Sequence, residues 1–367
     1  MVTLLRAQFV RRRLFLEALE DRRTPAVFTV NALTDTGAGT GLTGDLRYCI
    51  NQTNAMPGDD QINIMVTGTI TLAAEGQFTL SDISGKTTIT GPGANLLTID
   101  AHSASRIFQI NKGVTAEISG VTLTNGNAFR GGGAIQSSGT LTVANSVISG
   151  NFATGVGGAG GGGGIYNDGG AVLLMGDTIS GNSAGTGLGG GILNIGSLSL
   201  QNTIVSGNHV SGGGSGGGIY CVFGPTTITN STISGNSASN AGGGIVTTDT
   251  STITNSTISG NSAHVDGGGI LNLFGHLTVT NSTVNGNSAR GSGGGINNTF
   301  SNSITIKNST ISGNSALVDG GGIYNAGAIT VAHAIINDNF AITGGGIDDI
   351  RDINSNFIHR DDHEFHS

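Results

Sequence analysis

The chain has 367 residues, 66 of them glycine, 4 proline and none tryptophan, with 36% apolar and 10% charged residues. Glycine at more than twice its usual share of roughly 7%, but without a Gly-X-Y period, excludes collagen, and so low a charge content excludes a charge-driven disordered chain. The net charge is -8, and once residues 1–26 are set aside the body carries 9 basic against 20 acidic side chains. That balance disfavours phosphate backbones, so no nucleic-acid partner is expected.

Residues 1–26 hold 6 arginines, three of them, Arg11, Arg12 and Arg13, interrupting an otherwise apolar run between Leu4 and Leu19. An ordinary secretory signal needs that run unbroken, so spacing alone predicts a short helix or a disordered leader. No stretch of roughly 18 apolar residues occurs, so no transmembrane segment is expected. From Val27 to about residue 110 short alternating stretches such as Phe28-Thr29-Val30 and Ile62-Asn63-Ile64 predict half-buried strands. Asp45 to Asn54 is the one plausible helix there, with Leu46, Cys49 and Ile50 at helical spacing and Pro57-Gly58 as its stop. A repeat stack must close its first coil against solvent, so 27–110 is expected to be an N-terminal cap with the first irregular coils.

From Gly131 onward a glycine run followed by isoleucine recurs at Ile135, Ile165, Ile192, Ile219, Ile245, Ile270, Ile296, Ile323 and Ile347, spaced by 24 to 30 residues. A second mark keeps the same period at Asn151, Asn182, Asn208, Asn236, Asn261, Asn287, Asn314 and Asn339. Two marks in step over this length define a tandem repeat. One unit, Gly242 to Ala263, reads GGGIVTTDTSTITNSTISGNSA, with three short β segments and no helical run. The pattern predicts an all-β, single-stranded parallel β-helix of roughly 26-residue coils stacked about 4.8 Å apart over 111–350, with a polar tail at 351–367.

Within a unit, Ile228 and Asn230 share one side of a strand while Ile233 and Gly235 share a side of the next, so the chain bends at Asn230-Ser231. Asn145, Asn202, Asn230, Asn255, Asn281 and Asn308 occupy that bend, replaced by Gly176 and His333 in two coils. They are expected to form a structural ladder, bonding to one another and to turn backbone.

Two resemblances add to this reading. Leu16 to Ala26, LEALEDRRTPA, resembles the leader carried by many exported and surface proteins of planctomycete bacteria, which implies export. The repeats resemble exported right-handed parallel β-helix proteins with polymorphic-outer-membrane-type repeats, through Gly268-Gly269-Ile270 with Ser259-Gly260-Asn261 and Gly321-Gly322-Ile323 with Ser312-Gly313-Asn314. Phe28-Thr29-Val30, Asp35, Gly37, Leu46 to Ile50, Asn54-Ala55 and Pro57 to Asp60 are similar to the start of such domains. The resemblance implies a right-handed, pectin-lyase-like solenoid outside the cell or on its surface. That scaffold carries adhesins, lyases and hydrolases, so it implies no single activity.

Catalytic groups are sparse. Asp168, Asp249, Asp266 and Asp319 stand singly in loops of different coils, and Arg290 and Lys307 are nearly alone as bases in the repeats. Asp266 and Asp319 hold the same place two coils apart, about 10 Å by the strand spacing, beyond the ~5–9.5 Å of paired catalytic carboxylates. No cofactor is expected. Calcium is the one cation with a candidate, at Asp348, Asp349 and Asp352, and His359, Asp361, Asp362, His363, Glu364 and His366 form a further group of metal-ligating types in the tail. Outward threonines such as Thr227, Thr229, Thr252 and Thr254 offer hydroxyls to a polysaccharide or another surface protein. The expectation is a structural, adhesive or interaction module without a catalytic centre, with a polysaccharide lyase or glycoside hydrolase as the alternative.

Overall fold

The computed structural model describes residues 25–73, 76–155, 160–300 and 302–349. The body of the leader motif, residues 16–24, and the tail with Asp352 and the His359 to His366 group lie outside them. Among the described residues no helix is long and apolar enough to cross a membrane.

The chain winds into an all-β, right-handed parallel β-helix. A representative coil contains the strands Ile245–Thr247, Ser251–Thr254, Thr257–Ser259 and Ser262–Ala263. Each pairs in parallel with its equivalent one coil on, as in Ile245↔Ile270, Ile253↔Val279, Ile258↔Val284 and Ala263↔Ala289. The four resulting stacks, sheets I to IV in that order, contain eleven, fourteen, eleven and eight strands. The three segments expected per coil are therefore four, because the pair after the buried asparagine, Ser-Ala in most coils, makes a two-residue strand too short to show as alternation.

Alternation fixes what faces inward. Ile245, Ile253 and Ile258 are at most 2% exposed, and their equivalents form one continuous apolar core along the rod. Four bends join the sheets in each coil. The first asparagine row stands at the bend between sheets II and III, where Asn145, Asn202, Asn230, Asn255, Asn281 and Asn308 all have φ near +50° and exposed side chains. Asparagine is among the few residues that adopt this left-handed backbone readily.

Hydrogen bonds between asparagines run instead through the second row. Asn236 donates its backbone N–H and its Nδ2 to Asn261 Oδ1 at 3.0 and 2.9 Å, and Nδ2 also reaches the Val205 carbonyl at 3.0 Å. The same pattern continues along the rod from Asn151 to Asn339. The expected ladder thus belongs to a different row. Gly235 takes φ +61° and turns the chain once more, which swings Asn236 into the interior while Asn230 stays outside. A third row, unforeseen, lies inside sheet I, where Asn167 donates to Asn194 at 2.6 Å, Asn272 to Asn298 at 2.7 Å and Asn298 to Asn325 at 2.6 Å.

The glycine triplets follow from this stacking. In Gly267-Gly268-Gly269 the first residue has φ +66°. A Cβ on the second would meet the Gly294 and Ser288 carbonyl oxygens, and one on the third would stand 3.0 Å from Asn287 Nδ2. Only glycine lets the backbone pass this close to both the next coil and the asparagine ladder.

The N-terminal end is closed by the helix α1, Leu46–Ala55, capped by Asp45, whose Oδ1 accepts the Tyr48 N–H at 2.9 Å. Burial alone would raise the Asp45 pKa, but N–H bonds from Tyr48, Thr36 and Ala38 outweigh it and the carboxyl lies below its ordinary value. Arg47 pairs bidentately with Asp35 at 2.7 and 2.8 Å and lies 4.7 Å from the centre of the Phe78 ring. The Asp35 and Leu46 to Ile50 positions singled out in the sequence thereby meet in one buried cap. Both cysteines are free and buried, Cys221 inside sheet I and Cys49 on the buried face of α1.

Candidate binding face

Sheet I strands have three residues, so each projects a single side chain outward between two that point in. Register pairs stack these middle residues into one row along the rod. The loop before each triplet runs beside that row, because the left-handed first glycine brings the chain back against it. A Cβ on Gly131 would meet the Tyr166 ring, and one on Gly267 would lie 2.9 Å from Leu271 Cβ. The loops bury Leu193, Val246, Leu271 and Asn297 and leave Gln109, Gln136, Tyr166, Tyr220, Tyr324 and Asp348 partly open, so row and loop form an interrupted trough.

Its chemistry changes along its length. Gln109 and Gln136 stand at the N-terminal end, beside Arg106 and Arg130. The middle is aromatic and apolar, with Tyr166, Leu193, Tyr220, Val246 and Leu271; Val246, Leu271 and the loop residue Ala241 form a small buried cluster flanked by Tyr220 and Leu273. Asn297, Tyr324 and Asp348 follow at the C-terminal end, facing Asp266 and Asp319 from the loops. Three of the chain's four tyrosines, Tyr166, Tyr220 and Tyr324, occupy this one row, and all three remain partly exposed.

The carboxylates marked in the sequence divide between turns and trough. Asp249 accepts the Gly224 and Thr250 N–H groups at 3.0 and 2.6 Å, as a turn aspartate does. Asp168 accepts from Tyr166 Oη at 3.0 Å and from Gln136 Nε2 at 3.2 Å, so it belongs to the trough wall. Burial and then Asp168 push the Tyr166 phenol up to about 12. Asp266 accepts the Ser292 N–H at 2.7 Å, and successive backbone bonds, Gly267 N to Ser292 O and Gly293 N to Asp319 O, place Asp319 two coils beyond it. Asp348 pairs in register with Tyr324. Burial, then Asp319 and Asp349, raise the Asp348 pKa, and burial followed by Asp348, Asp319 and Asp266 raises that of Tyr324. Asp349 faces the interior and accepts from Asn325 Nδ2 at 3.0 Å. Asp348 and Asp349 thus point to opposite sides of one strand. Among the described residues no group of three or more His, Cys, Asp or Glu side chains is placed to hold a metal ion.

Sequence reasoning missed the trough because its row does not repeat. It missed Asp177 as well, a buried carboxyl in a row otherwise made of Ser146, Thr203, Ser231, Ser256, Ser282 and Ser309. Asp177 accepts the Ser146 and Met175 N–H groups at 2.8 and 2.9 Å, yet burial pushes its pKa up to about 7. The outward threonines Thr227↔Thr252 and Thr229↔Thr254 stack in register on sheet II, away from the trough.

The repeat of the Chlamydia polymorphic membrane proteins matches residues 255–273 and 308–326, each match running from a bend asparagine to a sheet I strand. No curated protein matches the chain. Among solved structures, that of pectate lyase Pel9A is similar in fold, with a TM-score of 0.50 and 12% identity over 85% of this chain and 80% of the lyase. The chain is a parallel β-helix rod that carries short segments of polymorphic-membrane-protein repeat and shares its fold with a pectate lyase.

Proposed function

We propose that the protein is an exported or cell-surface rod that binds an extended polysaccharide along the sheet I trough, as a structural, adhesive or interaction module without a catalytic centre of its own. The observation that carries this reading is the row of Tyr166, Tyr220 and Tyr324, each partly exposed at the same register position of sheet I. A tyrosine offers an apolar ring face with a polar tip, which suits a sugar ring bearing both C–H and O–H groups. Export is supported by the resemblance of the leader to those of surface proteins.

A second reading is a lyase or hydrolase using the acidic end of the trough. The fold shared with a pectate lyase favours it, and Asp266, Asp319 and Asp348 are where its chemistry would lie. Against it, Asp266 and Asp319 stand two coils apart, and a base acting on a sugar C–H needs a neighbouring cation to stabilise the developing charge.

Titrating the full-length protein with a panel of soluble neutral and acidic polysaccharides, with and without calcium, tests both. Binding is expected, and Tyr220→Ala is expected to weaken it about tenfold, a change worth roughly 1.4 kcal/mol. Unchanged affinity in that variant, or no polymer bound, overturns the trough reading. Shorter polymer products appearing with saturable kinetics, and lost in Asp319→Asn, would establish the lyase or hydrolase reading instead.

A further inference from the structure

We propose that the N-terminal end of the trough is an anion subsite, formed around Arg106 and Arg130, that takes the carboxylate or sulfate ester of an acidic sugar residue. The proposal rests on the polysaccharide reading above and narrows it to acidic polymers.

Arg106 stands two residues before the sheet I strand Phe108–Ile110 of its coil and is half-buried in the trough floor. Its guanidinium is held entirely by neutral oxygens. Nε donates to the Gly132 carbonyl at 3.0 Å, Nη1 to Gln77 Oε1 and Gln109 Oε1 at 2.9 Å each, and Nη2 to the Arg130 and Gly131 carbonyls at 2.8 and 2.9 Å. Arg47 in the cap makes the contrast, because its charge is met by Asp35. Arg106 has no ion pair among the described residues, and burial lowers its pKa from the ordinary value without any carboxylate opposing that shift. A guanidinium stays protonated even so. The trough floor therefore carries a fixed positive charge that is hydrogen-bonded to no carboxylate.

The same bonds orient donors. With both glutamine Oε1 atoms accepting from Nη1, the Nε2 groups of Gln77 and Gln109 are N–H donors without a hydrogen-bond partner among the described residues. Arg130 is exposed beside them. The segment borders an open depression of about 450 Å³, and its rim carries the Phe129 ring at 68% exposure. One wall holds Asp168, whose carboxylate already accepts from Tyr166, Gln136 and Ser138. Asp266, the nearest carboxylate of the acidic end, lies six coils along, about 29 Å by the strand spacing. That is more than three times the screening length of about 8 Å at physiological salt. An anionic group can thus be held locally on a chain of net charge -8.

The test compares an oligogalacturonate, its methyl ester and a sulfated galactan oligomer on the full-length protein by calorimetry. The acid, the sulfated oligomer or both are expected to bind at least tenfold more tightly than the ester, less so as salt rises. Arg130→Gln, an exposed change that spares the fold, is expected to remove that advantage while leaving ester binding as it was. Arg106→Gln, checked for an intact melting transition, is expected to do the same. Binding of the sulfated oligomer alone in an Arg130-dependent manner assigns the site to sulfate esters, and of the galacturonate alone to carboxylates. Equal binding of charged and ester forms, still weakened by Tyr220→Ala, removes the subsite and keeps the trough. If none of the three oligomers and no neutral polysaccharide binds, the trough reading falls and the subsite with it.

Discussion

The two halves of the rod are held together differently. In the first coils the interior is filled by large rings: Phe28, Phe78 and Phe108 are among the largest fully buried side chains, and Phe78 and Phe108 lie 5.4 Å apart in the row where every later coil has isoleucine. There the buried Arg47–Asp35 pair and α1 close the end. From Asn151 onward the interior side chains are smaller, and each coil is bonded to the next through a buried asparagine as well as through its strands. A solenoid can gain cohesion from apolar volume or from satisfied interior polar groups. The exchange of one for the other coincides with the onset of the regular repeat. The buried asparagine in turn requires the glycine triplet, since a Cβ on its third residue would press on the asparagine amide.

This contrast can be broken at several points. Ile258→Asp places a carboxylate in the apolar core and is expected to unfold or open the rod, an effect exceeding any other single change; an unaltered melting transition would remove Ile258 from the core. Phe108→Ala should cost about 4 kcal/mol in urea unfolding, as ring deletions in packed cores do. Asn236→Ala leaves the Asn208 N–H and Nδ2 without their acceptor and should cost about 3 kcal/mol, against about 1 kcal/mol for Asn230→Ala, which loses only its ease in a left-handed bend. Equal costs for the two asparagines would mean that the buried row adds nothing beyond its backbone geometry.

A further expected effect is one of pH. Asp177 titrates at about 7 in the fold against an ordinary 3.8, so between those values the folded state binds the extra proton and stability falls as pH rises. Asp177→Ser, which restores the residue type found at Ser231 and Ser256, should remove that slope. Urea midpoints of variant and parent should therefore diverge from pH 5 to pH 8, with the variant the more stable; parallel profiles would show that Asp177 is ionised throughout.

Much of this architecture was legible in the chain. The period, the parallel coils, the helix after Asp45 and the bend at Asn230 follow from spacing and parity alone. The ladder was assigned to the wrong row because alternation reveals a change of side but not the second left-handed turn at Gly235, which depends on a backbone angle. The Asn167 row was within reach, since Ile165 and Asn167 are two apart and must share a face. The trough was hidden for a different reason. The residue after each isoleucine is Gln, Tyr, Leu, Tyr, Val, Leu, Asn, Tyr and Asp in turn, which a search for periodicity discards as noise. In a structure whose other positions are fixed by stacking, that variable column is where a binding surface can differ from coil to coil. Arg106 lies before the first regular coil, where no repeat exists to mark it.

The in-register pairing of like with like has a consequence for how such a rod changes length. Thr232, Thr257, Thr283 and Thr310 stack on one another, as do Ser237, Ser262, Ser288 and Ser315. Removing 255–280 would join Thr254 to Asn281 and recreate the junction already present between Thr254 and Asn255. Such a deletion should leave a cooperatively folding rod about 4.8 Å shorter, measurable by small-angle scattering, whereas a cut of half a coil should not fold. Loss or gain of a whole repeat therefore changes the length of the sheet I face in fixed steps while leaving its two chemically distinct ends intact.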